Sequence, residues 1–236
     1  MLYYIIRERE EKRVLRPAVC DMTVFWDFNG TLCDDVDTAL RCINTLLARR
    51  GRPVLPDAEA YRRIFGFPVR DYYVRAGFDF SEESFETVGA EWFSLYEAQS
   101  KEIGLRSGVR EAMAAFRAAG LRQAVLSASQ KDTLAAQLCA LGLEFDEVLA
   151  LDGIYAESKE ALAAEWRQRH PEEPAVLIGD TAHDAEVARA AGLDCILVEG
   201  GHQDAATLAA CGVTVARDIP EAARMVLEVN LCKTNA

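Results

Sequence analysis

Residues 23–34 read TVFWDFNGTLCD, and this stretch decides the fold. Its first four residues, 23–26, are apolar or β-branched and predict a short buried strand that ends at Asp27. Gly30 then breaks the strand pattern, and a helical pattern follows over residues 36–50. A strand, a carboxylate, a turn and a helix in this order are typical of the ligand-binding edge of an α/β sheet.

From residue 107 onward, short apolar runs alternate with helical patterns. Strands are predicted at 123–126, 147–150, 175–178, 195–198 and 213–215, and helices at 108–119, 132–141, 159–169, 183–191 and 220–229. The first of these helices is expected to have its N-cap at Ser107. The alternation predicts right-handed βαβ units, and therefore a mostly parallel sheet covered by helices on both faces.

Residues 34–104 interrupt that alternation with helical patterns alone, and their many aromatic side chains are expected to form a small core. The predicted fold class is therefore α/β, with a Rossmann-like core of residues 22–33 and 105–236 and an inserted all-α domain of residues 34–104. Residues 1–21 are an N-terminal extension without an assigned function. Three explanations stay open for them. They could form an edge hairpin or a frayed arm, or they could result from translation that begins at a start codon upstream of Met22.

Composition narrows the classes of function. The chain of 236 residues has 38 acidic and 26 basic side chains, and its formal charge of −12 argues against a surface for nucleic acid or anionic membrane. No apolar run approaches the roughly 20 residues of a membrane span. The seven cysteines lack C-x-x-C spacing, so reduced thiols and a cytoplasmic location are expected rather than a disulfide framework or a zinc site.

Carboxylates follow two of the predicted strands. Asp27 ends the first strand, and Asp180 follows the fourth, with Asp184 four residues later. Because ligands bind at the carboxyl ends of such strands, Asp27 and Asp180 are expected to converge at one edge of the sheet. Two carboxylates, a main-chain carbonyl and water suit Mg²⁺, a hard ion that prefers oxygen ligands.

Groups that suit a phosphoryl ligand lie near these carboxylates in the predicted fold. Ser127 ends the second strand, Lys159 follows the third, and the turn at Gly30 and Thr31 offers backbone N–H donors. Phosphoryl oxygens need hydrogen-bond donors and neutralising charge, which a hydroxyl, an ammonium and amides supply.

Four segments, in order and spacing, resemble the motifs of the haloacid-dehalogenase superfamily: DFNGT at 27–31, Ser127, Lys159 and GDTAHD at 179–184. The helical insertion after the first motif resembles the cap of the phosphoglycolate-phosphatase-like subgroup. The resemblance extends from residue 22 to the end of the chain. It implies a Mg²⁺-dependent phosphatase that acts on a small phosphorylated metabolite through an aspartyl-phosphate, under a cap that closes over the site.

The resemblance also implies roles for the matching acidic positions. Asp27 is then the nucleophile, and it shares Mg²⁺ with Asp180 and with the main-chain carbonyl of Asn29. Asp184 holds metal-bound water or orients a neighbouring group.

The same resemblance implies how the phosphoryl group is held. Ser127 and the N–H of Ala128 bind the transferring phosphoryl oxygens, and Lys159 neutralises charge on the nucleophile and on the phosphoryl group. In the insertion, Arg70 is the arginine expected to face the substrate. Three other arginines of the insertion are expected to be solvated: Arg62, Arg63 and Arg75.

Asn29 departs from the superfamily pattern. Phosphatases of the superfamily have a second aspartate at this position, which protonates the leaving oxygen, and an amide cannot exchange a proton at neutral pH. General acid–base help contributes roughly 10²–10⁴-fold, so turnover is expected to slow. One interpretation is a phosphatase that needs little help or borrows a nearby group, with His183, Asp34 and Asp35 as candidates. The others are a slow phosphotransferase and a phosphate-binding regulatory pseudoenzyme.

Other chemistries fit the residues less well. Intact Asp27, Ser127, Lys159 and Asp180 argue against a pseudoenzyme, because a degenerate site would tolerate losses there. A dehalogenase of the superfamily needs no Mg²⁺ and has a tyrosine at position 29. A phosphonatase needs a lysine in its cap, and residues 13–100 contain none.

Overall fold

Six parallel strands form one sheet at the centre of the protein. The computed structural model describes residues 22–151 and 158–234, the last five of them as backbone only. The strands are β1 (Thr23–Trp26), β2 (Arg122–Gln130), β3 (Glu147–Leu151), β4 (Ala175–Gly179), β5 (Asp194–Val198) and β6 (Thr214–Ala216). Their order is β3-β2-β1-β4-β5-β6, and every neighbouring pair is parallel, which confirms the predicted α/β fold.

Ten α-helices accompany the sheet in the part of the chain that the structure describes. They are α1 (Val36–Arg49), α2 (Ala58–Ile64), α3 (Val69–Ala76), α4 (Phe85–Gln99), α5 (Val109–Ala118), α6 (Lys131–Leu141), α7 (Lys159–Arg169), α8 (Ala182–Ala191), α9 (Ala205–Ala209) and α10 (Ile219–Thr234). A short 3₁₀ turn, Ser100–Glu102, follows α4. None of the helices described is both long and apolar enough to cross a membrane.

β1 lies at the middle of the sheet, and all four of its side chains are buried. Val24 and Trp26 pack on one face with Phe116 of α5. Phe25 points to the other face, where its ring meets Trp166 of α7 edge to face at 4.8 Å. A strand covered on both faces needs a continuous apolar run, which is why TVFW occurs at this point of the chain.

β2 continues past the predicted end at Ser127 as far as Gln130. Its pairing with β3 is irregular after Leu126 and resumes where Gln130 pairs with Leu151. Ser127 therefore lies within an extended segment rather than at the start of a turn. Residues 127–130 are mostly polar, and for that reason the apolar pattern does not extend to them.

The predicted N-cap at Ser107 is wrong. Gly108 precedes α5 with φ +86 and provides no side-chain bond to the helix. A Cβ at Gly108 would come within 2.7 Å of the Pro220 side chain, so close packing against α10 requires glycine here. The short helix α9 was not predicted, and the predicted N-terminal extension of residues 1–21 lies outside the described residues.

Helices α1–α4, called here the helical segment (residues 36–99), bury apolar side chains against one another. Ile43 and Leu46 of α1 pack with Tyr61 of α2, Tyr72 of α3 and Val88 of α4. Most aromatic residues of this region thus form the core expected from the sequence, while Phe67 and Phe93 are exposed. The first turns of two of its helices are held by side chains, since Asp57 caps α2 and Ser84 caps α4.

Candidate active site

Three carboxylates meet at the carboxyl edge of the sheet. Asp27 directly follows β1, Asp180 follows β4, and Asp184 lies in the first turn of α8. The Asp27 N–H donates to the carbonyl of Ile178 at 2.8 Å, which holds the ends of β1 and β4 together. One oxygen of each carboxylate lies within 4.8 Å of the other two. The structure therefore brings Asp27 and Asp180 to one place, as their positions at strand ends predict.

Lys159 joins two of these carboxylates. It begins α7, its side chain is buried, and Nζ lies 2.5 Å from both Asp27 Oδ1 and Asp184 Oδ1. Burial alone would lower the pKa of Lys159, but the charges of Asp184 and Asp27 raise it above its ordinary value. The ammonium is therefore charged and can neutralise Asp27 and any anion bound beside it.

Asp184 uses both of its carboxylate oxygens. Oδ1 faces Lys159, and Oδ2 accepts the N–H of Asp180 at 3.2 Å, the N–H of Thr181 at 3.0 Å and the Thr181 hydroxyl at 2.7 Å. Burial would raise the pKa of Asp184, but Lys159 and these donors hold it below its ordinary value. Asp184 therefore orients the lysine and the start of α8. Its predicted place at a metal site stays a prediction.

Asp180 is held by two loops. Its Oδ1 accepts the Thr31 hydroxyl at 2.9 Å, and its Oδ2 accepts the N–H of His202 at 2.6 Å. Gly30 and Gly201 permit this approach, since a Cβ on either would lie within 2.3 Å of Asp180 Oδ2. Gly30 also has φ +73, a backbone conformation that favours glycine.

The acidic cluster has more negative charge than its neighbours neutralise. Burial raises the pKa of Asp27 well above its ordinary value; Lys159 opposes the rise, and the charges of Asp184 and Asp180 add to it. Burial likewise raises the pKa of Asp180, with His202 opposing and Asp184 contributing. Because both pKa values are raised, it is costly for the two neighbouring carboxyl groups to be ionised together. A bound cation would offset that cost. The donor set of Asp27, Asp180 and a main-chain carbonyl fits Mg²⁺.

The side-chain amide of Asn29 is fully engaged. Nδ2 donates to Asp35 Oδ2 at 2.8 Å and to the Tyr96 oxygen at 2.7 Å, and Oδ1 accepts the Ser129 hydroxyl at 3.3 Å. Because a carboxylate only accepts, the nitrogen must face Asp35. Both amide hydrogens already have acceptors, so neither is free to meet a leaving oxygen.

Asp35 accepts at the centre of this network. Its Oδ1 accepts the Gly30 N–H at 2.7 Å and lies 3.2 Å from His202 Nε2, while His202 Nδ1 lies 2.8 Å from the Tyr61 oxygen. Burial would raise the pKa of Asp35, but His202 and the other donors lower it below its ordinary value. Burial would lower the pKa of His202, but the charge of Asp35 raises it to about 9. Asp35 is therefore ionised at neutral pH and holds no proton to donate.

The other two predicted substitutes for the acid occupy different surroundings. Asp34 is exposed, and the His183 ring stacks on Phe67 with 4.5 Å between ring centres. Of the three candidates, only Asp35 forms a side-chain hydrogen bond to Asn29 in the described part of the chain.

The second predicted motif lies near Asn29. Ser127 is buried, and its Oγ accepts the N–H of Ser129 at 3.1 Å, while Ala128 is exposed. Ser129, which the sequence analysis did not single out, connects β2 to Asn29. Binding of phosphoryl oxygens by Ser127 and Ala128 stays a prediction.

Two arginines of the helical segment differ in their surroundings. The guanidinium of Arg70 lies 5.1 Å from the centre of the Phe80 ring, and its role at the substrate stays a prediction. Arg62 was expected to be solvated, and the structure contradicts this. Its guanidinium donates to the carbonyls of Gly201 at 2.8 Å and Gly200 at 3.1 Å, in the loop after β5.

Besides Ser129, sequence reasoning missed three residues that bond within the site: Tyr61, Tyr96 and His202. The pattern carried one usable signal, because the loop after the predicted strand at 195–198 contains Gly-Gly-His at 200–202 and belongs to the same sheet edge. Tyr61 and Tyr96 carry no such signal, since an aromatic residue of a helical core and one that faces a site look alike in sequence.

Together, the fold and the site define an α/β protein with an acidic cluster at the carboxyl edge of a parallel sheet and a group of helices inserted after the first strand. Residues 24–198 match the family model described as haloacid dehalogenase-like hydrolase. The match covers well over half of the chain, and the protein belongs to this family of hydrolases.

Named relatives fall into two groups. The chain is 28% identical over 197 residues to the tyrosine-protein kinase PtkA of Mycobacterium tuberculosis, an alignment of 81% of this chain and 66% of that protein. It is also 28% identical over 192 residues to a phosphoglycolate phosphatase of Caulobacter vibrioides, across 77% of this chain and 81% of that one. The chain thus spans slightly less than two thirds of the kinase.

A solved structure shares the fold. A haloacid dehalogenase-like family protein of Streptococcus pneumoniae superposes with a TM-score of 0.74 at 20% identity and covers 88% of this chain and 99% of that one.

Proposed function

We propose that the protein is a Mg²⁺-dependent phosphatase that acts on a small phosphorylated metabolite, with Asp27 as its nucleophile. The observation that carries the proposal is the pairing of Asp27 with the buried Lys159 in a cluster of three carboxylates. A nucleophilic carboxylate next to a buried ammonium suits capture of an anionic phosphoryl group. The phosphoglycolate phosphatases among its relatives support the same reaction class.

Asp27, Asp180 and the main-chain carbonyl of Asn29 would hold the metal ion. Burial and the charge of Asp184 raise the pKa of both carboxylates, and Lys159 and His202 oppose the rise. A further cation at this site would therefore stabilise the ionised carboxylates. When bound, Mg²⁺ supplies positive charge against the phosphoryl oxygens.

The reaction has two displacement steps at phosphorus: transfer of the phosphoryl group to Asp27, and then its transfer to water. Lys159 holds Asp27 Oδ1, which leaves Oδ2 to attack phosphorus. A bond from Oδ2 to phosphorus forms, the bond from phosphorus to the leaving oxygen breaks, and that oxygen takes a proton from water, because the Asn29 amide cannot supply one. In the second step, the oxygen of a water molecule bonds to phosphorus and the bond from Oδ2 to phosphorus breaks, which releases phosphate and regenerates Asp27. The proton lost by that water neutralises the hydroxide left by the first step. Ser127 and the Ala128 N–H donate to the transferring oxygens.

A slow phosphotransferase is the second candidate, and the engagement of Asn29 favours it. Without an acid–base group at this position, loss of the phosphoryl group to water slows by roughly 10²–10⁴-fold. A long-lived aspartyl-phosphate leaves time for another acceptor to take the group. The relative named as a tyrosine-protein kinase is consistent with such transfer.

Phosphate release and phosphoenzyme mass separate these functions. Wild type, Asp27→Asn and the exposed-site control Asp34→Asn are incubated with a panel of phosphorylated metabolites, phosphoglycolate included, with and without Mg²⁺. We expect Mg²⁺-dependent release from wild type and control, and none from Asp27→Asn. A mass gain of one phosphoryl group without release favours the phosphotransferase. Release that survives Asp27→Asn contradicts both.

A further inference from the structure

The hydrogen bonds between positions 29 and 35 follow a strict donor and acceptor order. Asp35 Oδ2 accepts from the Asn29 amide at 2.8 Å and from the Tyr96 hydroxyl at 2.7 Å. Its Oδ1 faces the Gly30 N–H at 2.7 Å and His202 Nε2 at 3.2 Å. Each oxygen thus serves two donors, which is the full capacity of an ionised carboxylate. Asp35 is 1% exposed, so water does not substitute for a lost partner.

We propose that Asp35 is the positioning residue for Asn29, and that an aspartate at 35 is what makes an amide, rather than a carboxylate, the matching side chain at 29. The two side chains form a carboxylate–amide pair in which one supplies only acceptors and the other supplies the hydrogens. The amide at position 29, which departs from the family pattern, is then the side chain that the acceptor-only carboxylate at position 35 requires.

A carboxylate at position 29 does not fit the wild-type network. Asn29 Nδ2 supplies two hydrogens, one to Asp35 and one to the Tyr96 oxygen at 2.7 Å. The single hydroxyl hydrogen of Tyr96 already goes to Asp35. An acceptor-only group at 29 would therefore face two oxygens with no hydrogen between them, and buried like charges would repel.

An amide at position 35 alone fails for the same reason. Whichever way it is turned, its NH₂ group faces either the Gly30 N–H and His202, or the Asn29 NH₂ group. Exchanging both residues restores every bond. The new amide at 35 presents its oxygen to Gly30 and His202 and its hydrogens to position 29 and Tyr96, while the Tyr96 hydroxyl donates to the new carboxylate.

The pairing also fixes which side of Asn29 reaches the site. With Nδ2 held by Asp35 and by Tyr96 of α4, Oδ1 points to the Ser129 hydroxyl at 3.3 Å. Asn29 therefore turns its acceptor oxygen toward Ser129 of β2, and its orientation depends on a tyrosine of the helical segment. The consequence for turnover rests on the proposed function; the pairing itself does not.

A double-mutant cycle tests the pairing. Urea unfolding is measured for wild type, Asn29→Asp, Asp35→Asn and the double variant Asn29→Asp/Asp35→Asn. We expect each single change to lower the folding equilibrium constant about tenfold or more, because buried polar groups lose their partners. The double variant should lie about tenfold or more above the equilibrium constant that the two single changes predict when added, a departure from additivity of the size seen within one hydrogen-bond network. It should stay below wild type, because Asp35→Asn also removes the charge that pairs with His202. In the same cycle, phosphate release should fall in Asp35→Asn and recover in the double variant.

The matched control moves the same charge to an exposed neighbour. Asn29→Asp/Asp34→Asn has the net charge of wild type but lacks the partner at 35. We expect it to be as unstable as Asn29→Asp alone. Additive effects in the main cycle, or equal recovery in this control, would overturn the proposal. The unfolding measurements need no substrate, so failure of the proposed function would appear separately, as an absence of phosphate release in every variant.

Discussion

Lys159 balances the buried Asp184 and the partly buried Asp27 with a single charge, and this residue sets the electrostatics of the site. Its Nζ bridges Asp27 and Asp184 at 2.5 Å. Such an arrangement has a large cost when broken, because removing one partner of a buried ion pair leaves the other charge without compensation.

Lys159→Met should therefore destabilise the protein by about 3–5 kcal/mol. Added Mg²⁺ should restore part of the loss, since a cation at Asp27 relieves the same repulsion. The free energy of urea unfolding with and without Mg²⁺ measures both effects, and Lys101→Met, at an exposed position, is the control. An unchanged unfolding midpoint in Lys159→Met would contradict the pairing.

His202 makes stability depend on pH. Burial would lower its pKa, but Asp35 raises it from the ordinary 6.5 to about 9 in the folded protein. The folded state therefore holds this proton more tightly than the unfolded chain. The contribution is complete below about pH 6.5 and is lost as pH rises through about 9, a change of about 3 kcal/mol.

Unfolding free energies between pH 6 and pH 10, measured in EDTA, test this dependence. The slope above pH 7 should flatten in His202→Gln and persist in His183→Gln. A wild-type slope unchanged by His202→Gln would assign the titration to another group.

At the scale of elements, the turn after β1 is the most constrained part of the site. Gly30 has φ +73 and lies against Asp180 and His202, so conformation and close approach both demand glycine. Gly51, after α1, has φ +64, but a Cβ there would meet nothing within 4 Å. Substitution at Gly51 therefore introduces backbone strain alone, whereas substitution at Gly30 introduces both strain and a steric clash.

Gly30→Ala should cost about 2–5 kcal/mol, the sum of left-handed backbone strain and overpacking. Gly51→Ala should cost about 1–2 kcal/mol, from strain alone. Urea unfolding of both variants gives the comparison. Equal losses would mean that the close approach to Asp180 contributes nothing.

The sequence predicted these elements because their patterns are local. Both faces of the central sheet are covered, so TVFW and AVLI appear as continuous apolar runs, and a carboxylate at the end of each strand indicates the sheet edge. The predicted end of β2 was wrong because polar residues continue the strand and its pairing with β3. Helix α9 was not predicted because five residues are too few to show a helical period.

Contacts between distant elements were not predictable in this way. Tyr61 and Tyr96 belong to helices whose aromatic residues mostly form a core, and only the packing of the fold turns their hydroxyls toward His202 and Asp35. Position 35 was a candidate acid in the sequence. Its burial and four donors, which make it an acceptor instead, appear only in three dimensions.

At the scale of the whole molecule, the helical segment is joined to the sheet edge by polar contacts. Tyr96 bonds Asp35, Tyr61 bonds His202, and Gln203 Nε2 donates to the Phe65 carbonyl at 3.2 Å. Cys42 and Tyr96 of the segment also pack into the apolar core of the sheet, so these polar contacts are only part of the junction. They are the part that separates at lower cost when a segment opens for product release. We propose that the helical segment acts as this cap.

Arg62 is the part of that junction easiest to test in isolation. Its guanidinium donates to the carbonyls of Gly200 and Gly201, and a hydrogen bond from a charged group contributes about 1.5–3 kcal/mol. Arg62→Ala should therefore raise amide hydrogen exchange about tenfold in residues 58–64 and 199–203, while the strands keep their protection. The exposed neighbour Arg63→Ala is the matched control and should change neither region. Equal exchange in both variants would mean that this arginine does not hold the segment to the sheet edge.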